Sequence, residues 1–312
     1  MKQNYAIIAD MSSDLSDAMM ERFHVDARIK GYMSTPYAEN IECDYHMTEA
    51  DLDAFYAALK ANKKGYKTSS LSVVDAVSCM EPFLAEGRDI IVSCLSSALS
   101  STYAILLNTQ KTLCAKYPGR RIFIIDSGRY SLANGLLIIK ACELRDKGLS
   151  VEENALELEK AKHTLHQMGS VDDLFYIASK GRITHAKAFF GTIAGVKALG
   201  DFGPEGMVTV LAKVCGFKKE KRVIVEYIKQ TIKNAEEQMI IIGQSVRSDQ
   251  AKEVAALIRE EIKPREVMVC NVYTMSAINI GPGILGVYYF GTEITDLKFE
   301  KETITRIIAN LP

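Results

Sequence analysis

Thr68-Ser-Ser-Leu-Ser72 and Ser96-Ser-Ala-Leu-Ser-Ser-Thr102 are two hydroxyl-rich turns, each set between a short apolar run and a helix-like stretch. In an open α/β sheet the loops that follow the strands collect along one edge, so two such turns converge on one ligand and offer it many neutral hydrogen-bond donors. Ser and Thr also cap helices and fill turns, and either run taken alone reads equally well as the cap of the helix after it. Finding both at like positions favours a built, oxygen-seeking and uncharged site.

Outward from these turns, Ala6–Ala9, Val25–Gly31, Ile90–Ser93 and Ile122–Ile125 are short apolar runs bounded by turn residues. Between them Asp14–Glu21, Thr48–Lys60, Val73–Glu86, Thr102–Lys116 and Ser131–Lys147 carry helical patterning, several opened by Ser or Thr with an acid in the first turn. The alternation predicts βαβ units and a parallel sheet covered by helices on both faces. Gly148-Leu-Ser150 closes that block, and Val151–Gln167 reads as a long charged helix. The second half has strand patterns at Val196–Leu199, Val208–Val214, Met239–Ile242, Val267–Tyr273 and Val287–Phe290, with helix patterns at Lys218–Glu237 and Ser248–Ile262. The chain therefore reads as α/β in two domains. Residues 1–162 form an N-terminal α/β domain with a parallel sheet that carries the hydroxyl turns. Residues 163–312 form a C-terminal α/β domain with a mixed sheet that closes over the ligand.

Composition narrows the classes. With 312 residues and an apolar share of 48%, the chain has ample material for two cores. Thirty-eight basic and 39 acidic side chains leave a net charge of −1, too little to gather nucleic acid or an anionic membrane surface. The seven cysteines are odd in number and scattered through apolar runs, which reads as reduced core thiols and a cytoplasmic protein. The apolar stretch near Met1 is too short for a signal peptide, and no window has the length a spanning helix needs, so export and stable membrane insertion are not expected. Monomer is the expected state, since no heptad seam is visible. His163 and His166 share a helix-compatible spacing, but with no Cys or carboxylate pair beside them they read as a solvated helix face rather than zinc ligands.

Three further motifs have a chemical reading and a structural one. Gly281-Pro-Gly-Ile-Leu-Gly286 formally matches the dinucleotide fingerprint, but strand-like Val287-Tyr-Tyr-Phe290 follows it where a helix is required. It reads as a tight turn whose backbone amides approach a ligand. Lys180-Gly-Arg182 follows a helix-like Asp172–Ser179 and either presents a guanidinium to an anion or simply caps the helix. In Asp10-Met-Ser-Ser-Asp14, Asp10 orients a loop or a ligand hydroxyl while Ser12 or Ser13 caps the next helix. The basic run Lys213–Arg222 reads as a solvated helix start. No Walker A segment, nucleophile elbow or H-E-x-x-H helix occurs.

Taken in order, Asp10-x-Ser-Ser-Asp-Leu15, Thr68-Ser69 with Ser72, Leu95-Ser-Ser-x-Leu-Ser-x-Thr102, Ile125-Asp-Ser127 with Ser131, Asp173-Leu-x-Tyr176 with Lys180-Gly-Arg-Ile183, and Gly281-Pro-Gly-x-Leu-Gly286 resemble the DegV family of bacterial fatty-acid-binding proteins. The resemblance spans Ala6 to Phe290. It implies the two-domain DegV and dihydroxyacetone-kinase-like (EDD) fold, with one long-chain fatty acid between the domains as ligand and no cofactor. It also implies that Thr68 and Ser96 or Ser97 hold the carboxylate, with Arg182 on the head-group side. Some members present the acid to a separate ATP-dependent fatty acid kinase. This chain has Asn279-Ile280 where the family commonly has His-Thr, and Cys215-Gly216-Phe217 where it has Arg on each side of the Gly. Those positions lose cationic and acid/base capacity, which weighs against a kinase partner. Ser101 and Ala133 also stand where the family has Gly.

The ligand-binding candidates are thus Thr68, Ser69, Ser96, Ser97, Ser127, Arg182, Asn279, Gly281 and Gly283, with no catalytic residue and no metal ligand assigned. The first reading is a non-catalytic lipid-binding protein. The alternative is an enzyme or sensor for a small phosphorylated or carboxylated metabolite, with Arg182 and the Gly281–Gly283 turn as anion clamp and Asp10 or Asp126 as base.

Overall fold

A computed structural model describes residues 5–181, 183–184 and 196–311. The N-terminal half runs β1 (Tyr5–Ala9), α1 (Asp17–Arg22), β2 (Ala27–Arg28), β3 (Tyr32–Ser34), β4 (Ile41–Glu42), α2 (Glu49–Ala61), β5 (Lys67–Thr68), α3 (Val73–Ala85), β6 (Asp89–Cys94), α4 (Thr102–Lys116), β7 (Ile122–Asp126), α5 (Leu132–Asp146) and α6 (Val151–Ala161). The C-terminal half runs β8 (Leu165–Val171), α7 (Leu174–Ser179), β9 (Ile183–Thr184), β10 (Val196–Phe202), β11 (Val208–Cys215), α8 (Phe217–Thr231), β12 (Met239–Gln244), α9 (Ser248–Glu261), β13 (Glu266–Asn271), α10 (Thr274–Ile280), β14 (Ile284–Phe290) and α11 (Lys298–Asn310).

Among the described residues, three sheets form. A parallel sheet has the order β2-β1-β6-β7, and a small antiparallel one has the order β4-β3-β5. The third is mixed, in the order β13-β12-β14-β8-β10-β11-β9. The α/β class and the parallel-then-mixed division of the sheets agree with the sequence reading. The central strands β1 and β6 of the parallel sheet are buried on both faces because each face meets helices. Ala6, Ile8, Ile90 and Val92 pack with Met80 and Leu84 of α3 and Leu106 and Leu113 of α4. Tyr5, Ile7 and Ile91 pack with α5. That helix is buried almost all round, since its other side meets Ile241 and Tyr288 of the mixed sheet. The far face of the mixed sheet is closed by α8, α9 and α11 through Val223, Tyr227, Val254, Ile258 and Ile304.

Several expectations are corrected. The predicted helix Val151–Gln167 stops at Ala161, passes through one 3-10 turn and becomes β8, in the middle of the mixed sheet. His166 is therefore not on a solvated helix face. It is fully buried, its Nδ1 is 2.8 Å from Asp201 Oδ2, its Nε2 is 3.0 Å from the Thr292 carbonyl, and its ring stacks on Tyr289. His163 alone is exposed. The strand predicted over Val25–Gly31 shrinks to Ala27–Arg28, and β3, β4 and β5 are too short to give an alternating pattern. The N-cap of α1 is Ser16, not Ser12 or Ser13, because Asp10 engages both of those first. The Val267–Tyr273 run ends as a strand at Asn271, and the next seven-residue helix, α10, was not foreseen. Among the described residues no helix is long and apolar enough to cross a membrane.

Candidate functional site

A cavity of about 280 Å³ lies between the inner face of the mixed sheet and the edge where the hydroxyl turns collect. Thr68 ends β5, where Met33 of β3 pairs with it. Ser72, four residues on, does cap α3, accepting from the Asp75 amide at 3.4 Å. The capping reading thus holds for Ser72 and leaves Thr68 and Ser69 on the cavity wall. Across from them, Asn279 in the last turn of α10 donates its Nδ2 to Thr68 Oγ1 at 3.3 Å and to the Tyr130 hydroxyl at 3.4 Å. Because Thr68 Oγ1 accepts from Asn279, its own proton is left for an acceptor in the cavity. Helix α10 is held by buried phenols: Tyr56 donates to the Val272 carbonyl at 2.8 Å and Tyr176 to the Ile278 carbonyl at 2.6 Å. Burial, with Asp14 nearby, pushes the Tyr130 phenol well above its ordinary range, so it stays a neutral donor.

The second hydroxyl turn presents its later half. Ser100, Ser101 and Thr102 line the cavity with Leu95 and Leu99. Ser100 Oγ accepts from the Thr102 amide at 3.2 Å, while Ser101, the formal N-cap of α4, makes no capping bond. Ser96 and Ser97 lie one step behind the wall. Ser96 is buried, its amide bonded to the Arg129 carbonyl at 2.8 Å and its Oγ to the Ala98 amide at 3.2 Å. Ser97 is exposed and its amide donates to Asp126 Oδ1 at 3.2 Å. Ser127 is buried in its own turn, where its Oγ accepts from the Arg129 amide at 3.1 Å. Arg182 falls outside the described residues.

Gly281 and Gly283 also stand off the wall. Their φ angles are +84° and +90°, and a Cβ would run into the Tyr176 ring at one and the Asp172 side chain at the other. Their amides are taken up internally, Gly281 to the Ala277 carbonyl at 2.7 Å and Gly283 to the Ser245 carbonyl at 3.0 Å. The turn therefore sets the direction in which β14 leaves α10.

Two buried carboxyls back the polar end. Asp10 accepts from the Leu95 amide at 2.9 Å, from Ser12 Oγ at 2.9 Å and from Asn134 Nδ2 at 3.0 Å; burial pushes it up to about 6 against those bonds. Asp14 accepts from Ser131 Oγ and from the Tyr273 amide at 3.0 Å, and burial pushes it up to about 7. Asp126, the other base considered, accepts from the Gly128 and Ser97 amides. Among the described residues no cluster of His, Cys, Asp and Glu is placed to hold a metal.

Sequence reasoning missed Tyr130, which follows Ser127-Gly-Arg with no motif of its own, and the whole inner face of the mixed sheet. The rest of the wall is largely apolar: Val171, Leu174, Ile177, Ala198, Phe202, Val208, Val210 and Ile284. A cavity with a few hydroxyl and amide groups at one end and aliphatic walls elsewhere has the shape of an amphiphile.

The model of a family described as "Uncharacterised protein, DegV family" matches residues 4–292. The chain belongs to the DegV family. A DegV domain-containing protein of Clostridium perfringens is 27% identical over 291 residues, 93% of this chain and 98% of its own. Among solved structures, a fatty-acid-binding DegV family protein from Thermus thermophilus aligns with a TM-score of 0.81 at 22% identity, covering 93% of this chain and all of the other. A stearic acid-binding protein from Eubacterium ventriosum aligns at 0.79 with 21% identity, covering 92% of this chain and 98% of its own. This DegV chain shares the fold of both, with its hydroxyl turns, α10 and the mixed sheet enclosing one cavity.

Proposed function

We propose that this DegV protein binds one long-chain fatty acid, its carboxylate at the Thr68–Asn279–Tyr130 end of the cavity and its tail along the mixed sheet. The observation that carries the reading is the polarity of the wall, with the Thr68 and Tyr130 hydroxyls each within 3.4 Å of the Asn279 amide at one end and aliphatic side chains over the remainder. Hydrogen bonds to a charged group contribute roughly 1.5–3 kcal/mol each, enough for two or three to offset much of the carboxylate's desolvation. The tail adds about 0.8 kcal/mol per buried methylene, so the head fixes orientation and the tail supplies most of the affinity.

On this reading the protein carries its ligand and does no chemistry on it. Asp10 and Asp126, the bases of the metabolite-enzyme alternative, are spent on main-chain amides. The similarity to fatty-acid-binding DegV structures supports the same reading. All seven thiols are free, which suits a reducing, cytoplasmic setting. A kinase that takes the acid from the cavity is the partner the reading admits, though Asn279, Cys215 and Phe217 offer it no charge. The test is a titration with a fluorescent long-chain fatty acid. Thr68→Ala combined with Asn279→Ala is expected to weaken binding about tenfold or more, since the hydroxyl that donates to the charged group and the amide that orients it and Tyr130 are both lost. Unchanged affinity would remove these residues from the head-group site.

A further inference from the structure

Four neighbouring strands of the mixed sheet place a glycine at one level. Gly243 of β12 pairs with Gly286 of β14, Gly286 with Gly169 of β8, and Gly169 with Gly200 of β10. At about 4.8 Å per strand spacing, this makes a row of glycines that crosses the strands for roughly 14 Å. In register on one side of the band run Ile284, Val171 and Ala198. On the other run Tyr288 and Gln167, with Phe202 two residues past Gly200 on β10. These six border residues all line the cavity, as do Gly286, Gly169 and Gly200.

The two ends of the band differ. A Cβ at Gly243 would lie 2.8 Å from the Tyr288 hydroxyl and 2.9 Å from Leu132 Cδ1, and one at Gly286 would lie 2.5 Å from the same hydroxyl. Tyr288 is therefore folded over this end, and Gly243 is shut out of the cavity wall. The polar cluster meets the band close by, since Gln167 Oε1 accepts the Tyr130 amide at 3.1 Å. At the other end Val210 of β11 takes the place beside Gly200. There Leu174 of α7 packs with Ala198, Val210 and Val171 in an apolar cluster separate from the main cores.

We propose that the acyl chain lies along this glycine band, crossing from the Gln167 end toward β11, and that Leu174, Ala198 and Val210 set the chain length the protein accepts. The proposal rests on the fatty-acid reading and assigns that site its selectivity. With Tyr288 covering Gly286, the bare backbone at Gly169 and Gly200 lets a linear hydrocarbon lie against the sheet from β8 to β10, and the rows on either side keep it from sliding along the strands. Each methylene that finds no place beyond Leu174 forfeits about fourfold in affinity.

The experiment loads the full chain from an equimolar mixture of saturated fatty acids of 12 to 20 carbons and reads the bound profile by mass spectrometry. Ala198→Leu narrows the far end and should shift the preferred acid shorter by about two carbons, lowering the share of the longest acid about tenfold. Leu174→Ala opens the same end and should shift it the other way, so the proposal does not hang on one variant folding. Equal loading of both variants with an unchanged profile would overturn the band as the tail's path. A wild-type chain that takes up no fatty acid at all would instead overturn the reading of the ligand, and the proposal with it.

Discussion

Asp14 ties three pieces of the molecule together: it sits at φ 53° in the turn after β1, takes the Ser131 hydroxyl at the start of α5, and takes the Tyr273 amide at the start of α10. Burial pushes it up to about 7, so between the ordinary carboxylate range near 4 and pH 7 the folded protein keeps a proton that the unfolded chain has released. Stability is therefore greatest at the acid side of that window and falls as pH rises through it. Asn tolerates the left-handed conformation and keeps the carbonyl acceptor for Tyr273. Asp14→Asn should thus flatten the fall, gaining at least about 2 °C in Tm relative to wild type between pH 5 and pH 8. Parallel pH profiles in the two proteins would refute the assignment. This motif was only half legible beforehand. Asp10 as the group that orders a loop follows from its place at a strand end, whereas Asp14 as a latch between distant helices depends on folding together residues that no local pattern links. The same holds at the cavity, where Thr68 stands out in a hydroxyl run while Tyr130 carries no mark.

Strand β8 shows why the middle of the chain was misread. Glu152, Glu153 and Lys160 on a helical period extend smoothly toward His163 and Gln167, and no Gly or Pro interrupts them. What ends the helix is tertiary: Leu165 and Met168 are each fully buried on opposite faces of a central strand, and His166 finds Asp201 on β10. Asp201 also accepts from the Gln167 and Phe202 amides at 2.7 and 2.8 Å, so this buried pair fixes β8 to β10 beside the cavity. Removing the imidazole leaves a buried carboxylate short of a partner and a void against Tyr289. His166→Ala should lower the urea-unfolding free energy by about 3 kcal/mol or more. A loss under about 1 kcal/mol would mean that the pair does not hold the strand. The helices α3, α4 and α9 were legible from apolar residues on a helical period, Pro82 within α3 notwithstanding, and α5 from the length of its apolar run.

The cavity exists only because the layers stack: α3 and α4, the parallel sheet, α5, the mixed sheet, then α8, α9 and α11. Helix α5 packs between the two sheets, and the cavity lies beside its first turn, where Tyr130, α10 and the hydroxyl turns line it. The α/β class and the change from a parallel to a mixed sheet were readable from the order of apolar runs. The glycine band was not, since Gly169, Gly200, Gly243 and Gly286 are scattered singly along the chain and become a row only through strand pairing. The direct test of an amphiphile-shaped cavity is mass spectrometry of the organic extract from protein purified without added lipid. Near-stoichiometric long-chain fatty acid is the expected result. A lipid-free extract, from protein that also fails to take up added fatty acid, would contradict it and favour a small polar anion as ligand.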